Sequence, residues 1–239
     1  METSAPAQSN FARYPRVASP IHTILVLTVV CGWAISGNIF ANRLAASANP
    51  NRMRTYLATI LIEWAAFVLV VVGVRRSGTS VFLVLGDRWR SFRQFLRDIG
   101  VAVGFWVVAV LFLFMAGRLL HVASAQKKLH FVLPHGGFEI ATWIALSITA
   151  GICEETIFRG YLQRQFMALT QSAAAGILFS AATFGAAHAY QGLRLAIVIG
   201  VFGAMFGVLA YWRGTVRPGM IAHAWQDSLS GIVGSLIKH

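Results

Sequence analysis

Long uncharged apolar runs, separated by short arginine-rich or glycine-rich breaks, set the pattern of this chain. A helix needs about 20 predominantly apolar residues to cross a bilayer. Residues 21–42, between Pro20 and Arg43, hold no charge and meet that length. Residues 56–74 meet it with one intruder, Glu63, and residues 99–117 make a third span between Asp98 and Arg118. The second half is less regular. Residues 140–153 are uncharged but too few to cross alone, unless Glu154 and Glu155 are themselves drawn into the membrane or a cavity. Residues 165–193 are uncharged and contain His188, 195–212 form a further span, and 218–237 form the last, with Pro218 near its start and Asp227 near its middle.

Between the second and third spans, Trp89, Phe92, Leu96 and Ile99 recur at steps of three and four, with Arg88, Arg90, Arg93 and Arg97 between them. That spacing predicts an amphipathic helix over 75–98, lying in the interface with its arginines toward headgroups. The expected architecture is therefore all-α: a polytopic membrane helical bundle of about seven transmembrane helices (six to eight), plus the interfacial helix. Residues 1–20 are polar and read as a disordered tail, 118–137 as a loop, and 21–239 as a single membrane domain. The first span is too long for a typical signal-peptide core and reads as uncleaved.

Composition agrees with the pattern. Of 239 residues, 57% are hydrophobic and 12% charged, against roughly 25% charged in soluble domains. The net charge of +12 does not imply a nucleic-acid partner, because the basic residues are scattered through the breaks, where Lys and Arg anchor topology. The bilayer is the expected partner. A cytoplasmic N-terminus in a plasma membrane fits a weak positive-inside bias, most of it from the six arginines of residues 75–97. Cys31 and Cys153 each lie within an apolar run and read as small buried hydrophobes rather than a disulfide.

An ionisable group at bilayer depth is costly unless something uses or satisfies it, so the polar residues of the last spans are the candidate chemistry. Glu155 and Arg159 are four apart, share a helix face and stand in the favourable order for an ion pair. Glu154 points about 100° away and is left over, free to act as a general base. His188 follows Phe184 by four residues, and His223 precedes Asp227 by four, so the latter two can face one cavity. A glutamate base, a histidine and a His/Asp pair suffice for peptide hydrolysis: Glu154 takes a proton from water that His188 helps position, while His223 and residue 227 stabilise the oxyanion.

Three motifs carry a resemblance. Glu154-Glu155-Thr156-Ile157-Phe158-Arg159 matches E-E-x-x-x-R, Phe184-Gly185-Ala186-Ala187-His188 matches F-x-x-x-H, and His223-Ala224-Trp225-Gln226-Asp227 matches H-x-x-x-(Asn/Asp). In this the chain resembles the membrane-embedded CAAX prenyl protease and bacteriocin-processing family, the glutamic intramembrane endopeptidases, over about residues 138–237. The resemblance implies a water-activating role for Glu154 with His188 and a transition-state role for His223 with Asp227. It also implies a membrane-associated peptide or protein substrate, lipidated or not, and no cofactor. Asp227 departs from the asparagine of the prenyl-protease branch and donates a hydrogen bond only when protonated, so it serves either as an oxyanion donor or to orient His223.

Other readings stay open at this point. Glu, two His and Asp form a respectable donor set for zinc or another divalent metal, although H-E-x-x-H is absent. A non-enzymatic immunity or scaffold protein and a small proton-relaying transporter also fit buried Glu and His residues. Glu63 reads as a structural partner for an arginine. One geometric condition tests the hydrolase reading. In a simple ladder of spans His188 lies roughly 15 Å along the membrane normal from Glu154 and His223, at 1.5 Å per residue. Convergence requires helix 138–170 to continue past Arg159, or the 165–193 run to be broken.

Overall fold

The computed structural model describes residues 13–46, 51–121 and 132–236, and every regular element among them is helical. In chain order they are α1 (Pro20–Ala45), α2 (Arg52–Arg76), the single-turn α3 (Phe82–Leu85), α4 (Phe92–Leu119) and α5 (Gly136–Glu154). A π-helical segment, Glu155–Leu162, then continues α5 without a break into α6 (Gln163–Thr170). α7 (Ala173–Ala187), a 3₁₀ turn (Ala189–Gln191), α8 (Leu193–Arg213) and α9 (Arg217–Leu236) follow.

Five of these helices are long and apolar enough to cross a membrane, counting Gly136–Thr170 as one, and α7 is a shorter apolar helix. Their lipid-facing surfaces show it: Val107, Val108, Leu111 and Phe114 of α4 and Leu61 and Val68 of α2 are exposed. In water, so much apolar surface on single helices would be unstable; in a bilayer it is the solvated face. The protein is a helical membrane bundle.

The bundle's centre is the long helix Gly136–Thr170. Ile157, Phe158, Tyr161 and Leu162 of the π segment are at most 1% exposed and pack with Val70 and Val74 of α2, Val84 of α3 and Phe184 of α7. α3 lies so close that a Cβ on Gly160 would collide with the Val84 carbonyl. A second apolar cluster joins Ala102 and Ala109 of α4 to Phe202 and Phe206 of α8 and Ala222 of α9.

Both geometric conditions posed by the sequence are met. The helix runs past Arg159 to Thr170. The uncharged run 165–193 is broken at Gln171, which adopts a left-handed conformation (φ 53°), while Ser172 caps α7 by accepting from Ala175 N. Register then follows from counting. Glu154 lies 16 residues before Thr170 and His188 lies 16 residues after Ser172, so an antiparallel hairpin with a two-residue turn brings them level. The Ser180 hydroxyl donates to the Phe158 carbonyl at 2.7 Å and pins that alignment.

Two sequence expectations need correction. The arginine-rich stretch is not one amphipathic helix: Gly78 and Gly86 take positive φ, residues 86–90 are not helical, and Ser91 caps α4. The cause is Asp98, fully buried one and a half turns into α4. It accepts from Trp89 Nε1 at 2.9 Å and from Arg213 Nη2 at 3.1 Å, and pairs with Arg217 Nη2 at 3.1 Å. Trp89 and the turn between α8 and α9 must bend toward this carboxylate, which a continuous helix over 75–98 would prevent. The second concerns the tail. Residues 1–12 lie outside the described residues, but Val17 and Ala18 are buried and donate their backbone N–H groups to Gln165 Oε1 at 2.8 and 3.3 Å. Of the expected loop at 118–137, residues 122–131 lie outside the described residues, while 118–119 complete α4 and 136–137 open α5.

Removing one partner of a buried charge cluster strands the others at about 3–5 kcal/mol. Asp98→Ala is therefore expected to lower stability by about that amount, read as a loss of thermal stability of the detergent-solubilised protein, while Arg88→Ala, on an exposed arginine, leaves it nearly unchanged.

Candidate active site

The polar residues singled out in the sequence meet at the junction of α5, the π segment, α7 and α9. Arg159 is buried. Its Nη1 donates to Glu155 Oε1 at 3.0 Å and its Nη2 to the Gly203 carbonyl of α8 at 3.1 Å. The guanidinium lies over the Phe184 ring, 4.3 Å from its centroid, with Phe206 and Phe158 at 5.4 and 5.9 Å. Desolvated cation–π contacts of this kind contribute about 2 kcal/mol. α8 can approach because residue 203 is glycine, whose Cβ would press on Phe184 and on Arg159 Nη2.

Glu155 is the hinge between that cation and the last helix. The same Oε1 accepts from His223 Nδ1 at 3.0 Å. A carboxylate oxygen only accepts, so Nδ1 carries the hydrogen, and Nε2 is turned the other way. There it stands 3.7 Å from Glu154 Oε2 and 3.5 Å from Asp227 Oδ2. His223 is 4% exposed and Glu154 6%, while the Asp227 side chain is 39% exposed and opens the cluster outward. Trp143 of α5 donates its Nε1 to the Asp227 carbonyl at 2.8 Å and so ties α9 to α5 beside the site.

His188 caps α7, and its Nδ1 lies 2.9 Å from the Phe184 carbonyl. That carbonyl only accepts, so Nδ1 donates and the neutral ring keeps a lone pair on Nε2. Phe184 is the common wall: its ring centroid is 4.6 Å from that of His188, 6.2 Å from His223 and 4.9 Å from Phe158. Glu154 is in electrostatic contact with His188, His223, Asp227 and Arg159. All six residues anticipated from the sequence are thus brought together, and the sequence expectation that Glu155 pairs with Arg159 while Glu154 is left over holds in the coordinates.

Glu63 was expected to partner an arginine. It is instead buried on α2, and the charged groups acting on it most strongly are Glu154, His223 and Asp227. A lone glutamate in an apolar span was the only signal, and nothing in its spacing tied it to motifs 90 residues away. Tyr190, stacked on His188 with centroids 6.1 Å apart, was also not anticipated. As for a metal, no three His, Cys, Asp or Glu side chains among the described residues are arranged to hold one. Both nitrogens of His223 face carboxylates.

The fold and site define an integral membrane protein of the helical class, with a carboxylate–imidazole cluster enclosed among its central helices. Residues 136–229 match the family model described as type II CAAX prenyl endopeptidase, Rce1-like, a segment that contains all three motifs. Over that segment the chain is similar to the CAAX protease family. No curated protein and no solved structure matches it.

Because Arg159 is buried against Glu155, Arg159→Met is expected to destabilise the fold by about 3–5 kcal/mol by leaving a charge unpaired. Adding Glu155→Gln removes the stranded charge and should recover at least about 1 kcal/mol. A double-mutant cycle on chemical unfolding measures the coupling.

Proposed function

We propose that the protein is an intramembrane endopeptidase that hydrolyses a peptide bond of a membrane-associated substrate with water activated by Glu154. The observation that carries this reading is the division of labour between two adjacent glutamates. Glu155 is committed to Arg159 and His223, whereas Glu154 is buried beside His223 Nε2 with no short hydrogen bond that would spend its basicity. A carboxylate so placed is suited to accept a proton from water, and the Nε2 lone pair of His188 is suited to hold that water's other hydrogen.

Hydroxide then adds to the carbonyl carbon, and the oxyanion that forms needs a donor. His223 in its doubly protonated form supplies Nε2–H, kept in place by the Nδ1–H bond to Glu155. Collapse of the tetrahedral intermediate breaks the C–N bond, and Glu154 returns its proton to the leaving amine. Asp227, 3.5 Å from the same Nε2, orients the imidazolium and stabilises its charge; it need not donate. Glu155, Arg159 and Phe184 hold the frame. Similarity to a family described as CAAX prenyl endopeptidases supports a peptide substrate and makes a farnesylated CAAX peptide the first one to try.

In proteoliposomes carrying a quenched-fluorescent farnesylated CAAX peptide and its unprenylated twin, the wild type is expected to cleave at least one. Glu154→Gln should cut the rate by about 10² or more with insertion and thermal stability unchanged. A Glu154→Gln protein as fast as wild type would leave a non-enzymatic scaffold as the better reading. Asp227→Asn, which keeps the shape and the contact to Nε2, is expected to stay within about tenfold of wild type, while Asp227→Leu loses about 10².

A further inference from the structure

The catalytic reading leaves one buried acid unused. Glu63 sits in the middle of α2, 2% exposed, and its Oε2 is buried without a hydrogen-bond partner among the described residues. α2 packs along α5, which turns Glu63 toward the site. Arg52 pairs with Glu139, Tyr56 meets Trp143, and Val70 packs with Cys153 and Ile157, so Glu63 lies level with the turn of α5 just before Glu154, within electrostatic reach of Glu154, His223 and Asp227. Its strongest charged neighbours are thus two carboxylates and one imidazole. Arg159, the permanent cation of the site, is already bonded to Glu155 and Gly203.

Counting charge fixes what Glu63 can be. One imidazolium is shared by Glu154 and the partly exposed Asp227, and a further buried carboxylate beside them would be uncompensated, at a cost of several kcal/mol. A carboxylic acid in that position carries an O–H and becomes a donor. Glu154, as base, is an acceptor. A water held between them receives one hydrogen bond from Glu63 and gives one to Glu154, so one lone pair remains for attack.

We propose that Glu63, in its neutral acid form, is a further residue of the catalytic centre that positions the attacking water opposite Glu154. This rests on the glutamate-activated hydrolysis set out above. No bond to Glu63 forms or breaks: it keeps its proton through the cycle, and Glu154 alone exchanges one.

Glutamine at this position retains an N–H donor and neutrality, whereas alanine removes both. Using purified protein in liposomes and the same farnesylated peptide, Glu63→Gln is expected within about threefold of the wild-type kcat. Glu63→Ala should lower kcat by about tenfold or more, with KM within about twofold and thermal stability no lower than that of Glu63→Gln. Infrared difference spectra of wild type minus Glu63→Gln should show a protonated-carboxyl absorption that shifts in D₂O, a readout that does not depend on activity. Glu63→Ala as fast as wild type, or Glu63→Gln as slow as Glu63→Ala, overturns the proposal. So does the lack of a protonated-carboxyl difference. Failure of the hydrolase reading has a separate signature, unimpaired cleavage by Glu154→Gln, and leaves the infrared result standing on its own.

Discussion

The structure depends on one buried cation. Arg159 is fully enclosed in a membrane bundle, and every strong interaction it makes reaches a different element: Glu155 on its own segment, the Gly203 carbonyl on α8, and the Phe184 ring on α7. An arginine cannot shed its charge, so the bundle has to assemble around it. Glu155 neutralises it, and the same oxygen fixes His223 of α9. One guanidinium thereby sets the mutual positions of α7, α8 and α9, and the geometry of the candidate site follows as a by-product of satisfying that charge. Glu154 and His188 are held less by bonds of their own than by the frame Arg159 imposes.

That frame explains why the long helix changes pitch where it does. Glu154 ends the α-helical part and Glu155 begins the π segment. π turns are costly and occur mostly at functional sites, where they widen a helix locally. Here the widened turn carries Glu155 and Arg159 inward together and keeps Glu154 at the edge of the cluster. It also buries Ile157, Phe158, Tyr161 and Leu162 completely, so apolar packing from α2, α3 and α7 compensates for strained backbone hydrogen bonding. His22 of α1 reaches the same segment, with Nδ1 2.7 Å from the Tyr161 hydroxyl. A helix held on all sides at its irregular turn can present two adjacent glutamates to two different partners.

Much of this was legible in the chain. Helix identities followed from uninterrupted apolar length, and the six site residues from ionisable groups whose burial demanded a use. The Thr170-Gln171-Ser172 break was less visible. Ser172 is an ordinary capping residue ahead of an apolar run, yet the surrounding absence of charge masked it, so the 165–193 segment read as one span. The arginine-rich stretch misled for the opposite reason. Its periodicity is genuine, but Phe92 is exposed and Trp89 is drawn off to Asp98, because a buried carboxylate in contact with two arginines outweighs a weak amphipathic preference. Long-range electrostatic pairing of this kind, joining residues 98, 213 and 217, leaves no periodic trace.

Glu63 was misread on the same ground. A glutamate inside a hydrophobic span is expected to seek an arginine because an isolated charge is intolerable there. That expectation assumes the group is charged. Among Glu154, Asp227 and His223, the lower-energy solution is to keep the acid neutral and use its hydrogen, provided the carboxylates beside it already claim the available cations. Glu155 claims Arg159, and Glu154 and Asp227 flank His223. That one oxygen of Glu63 has no hydrogen-bond partner among the described residues is then the consequence of how the other three acids are paired.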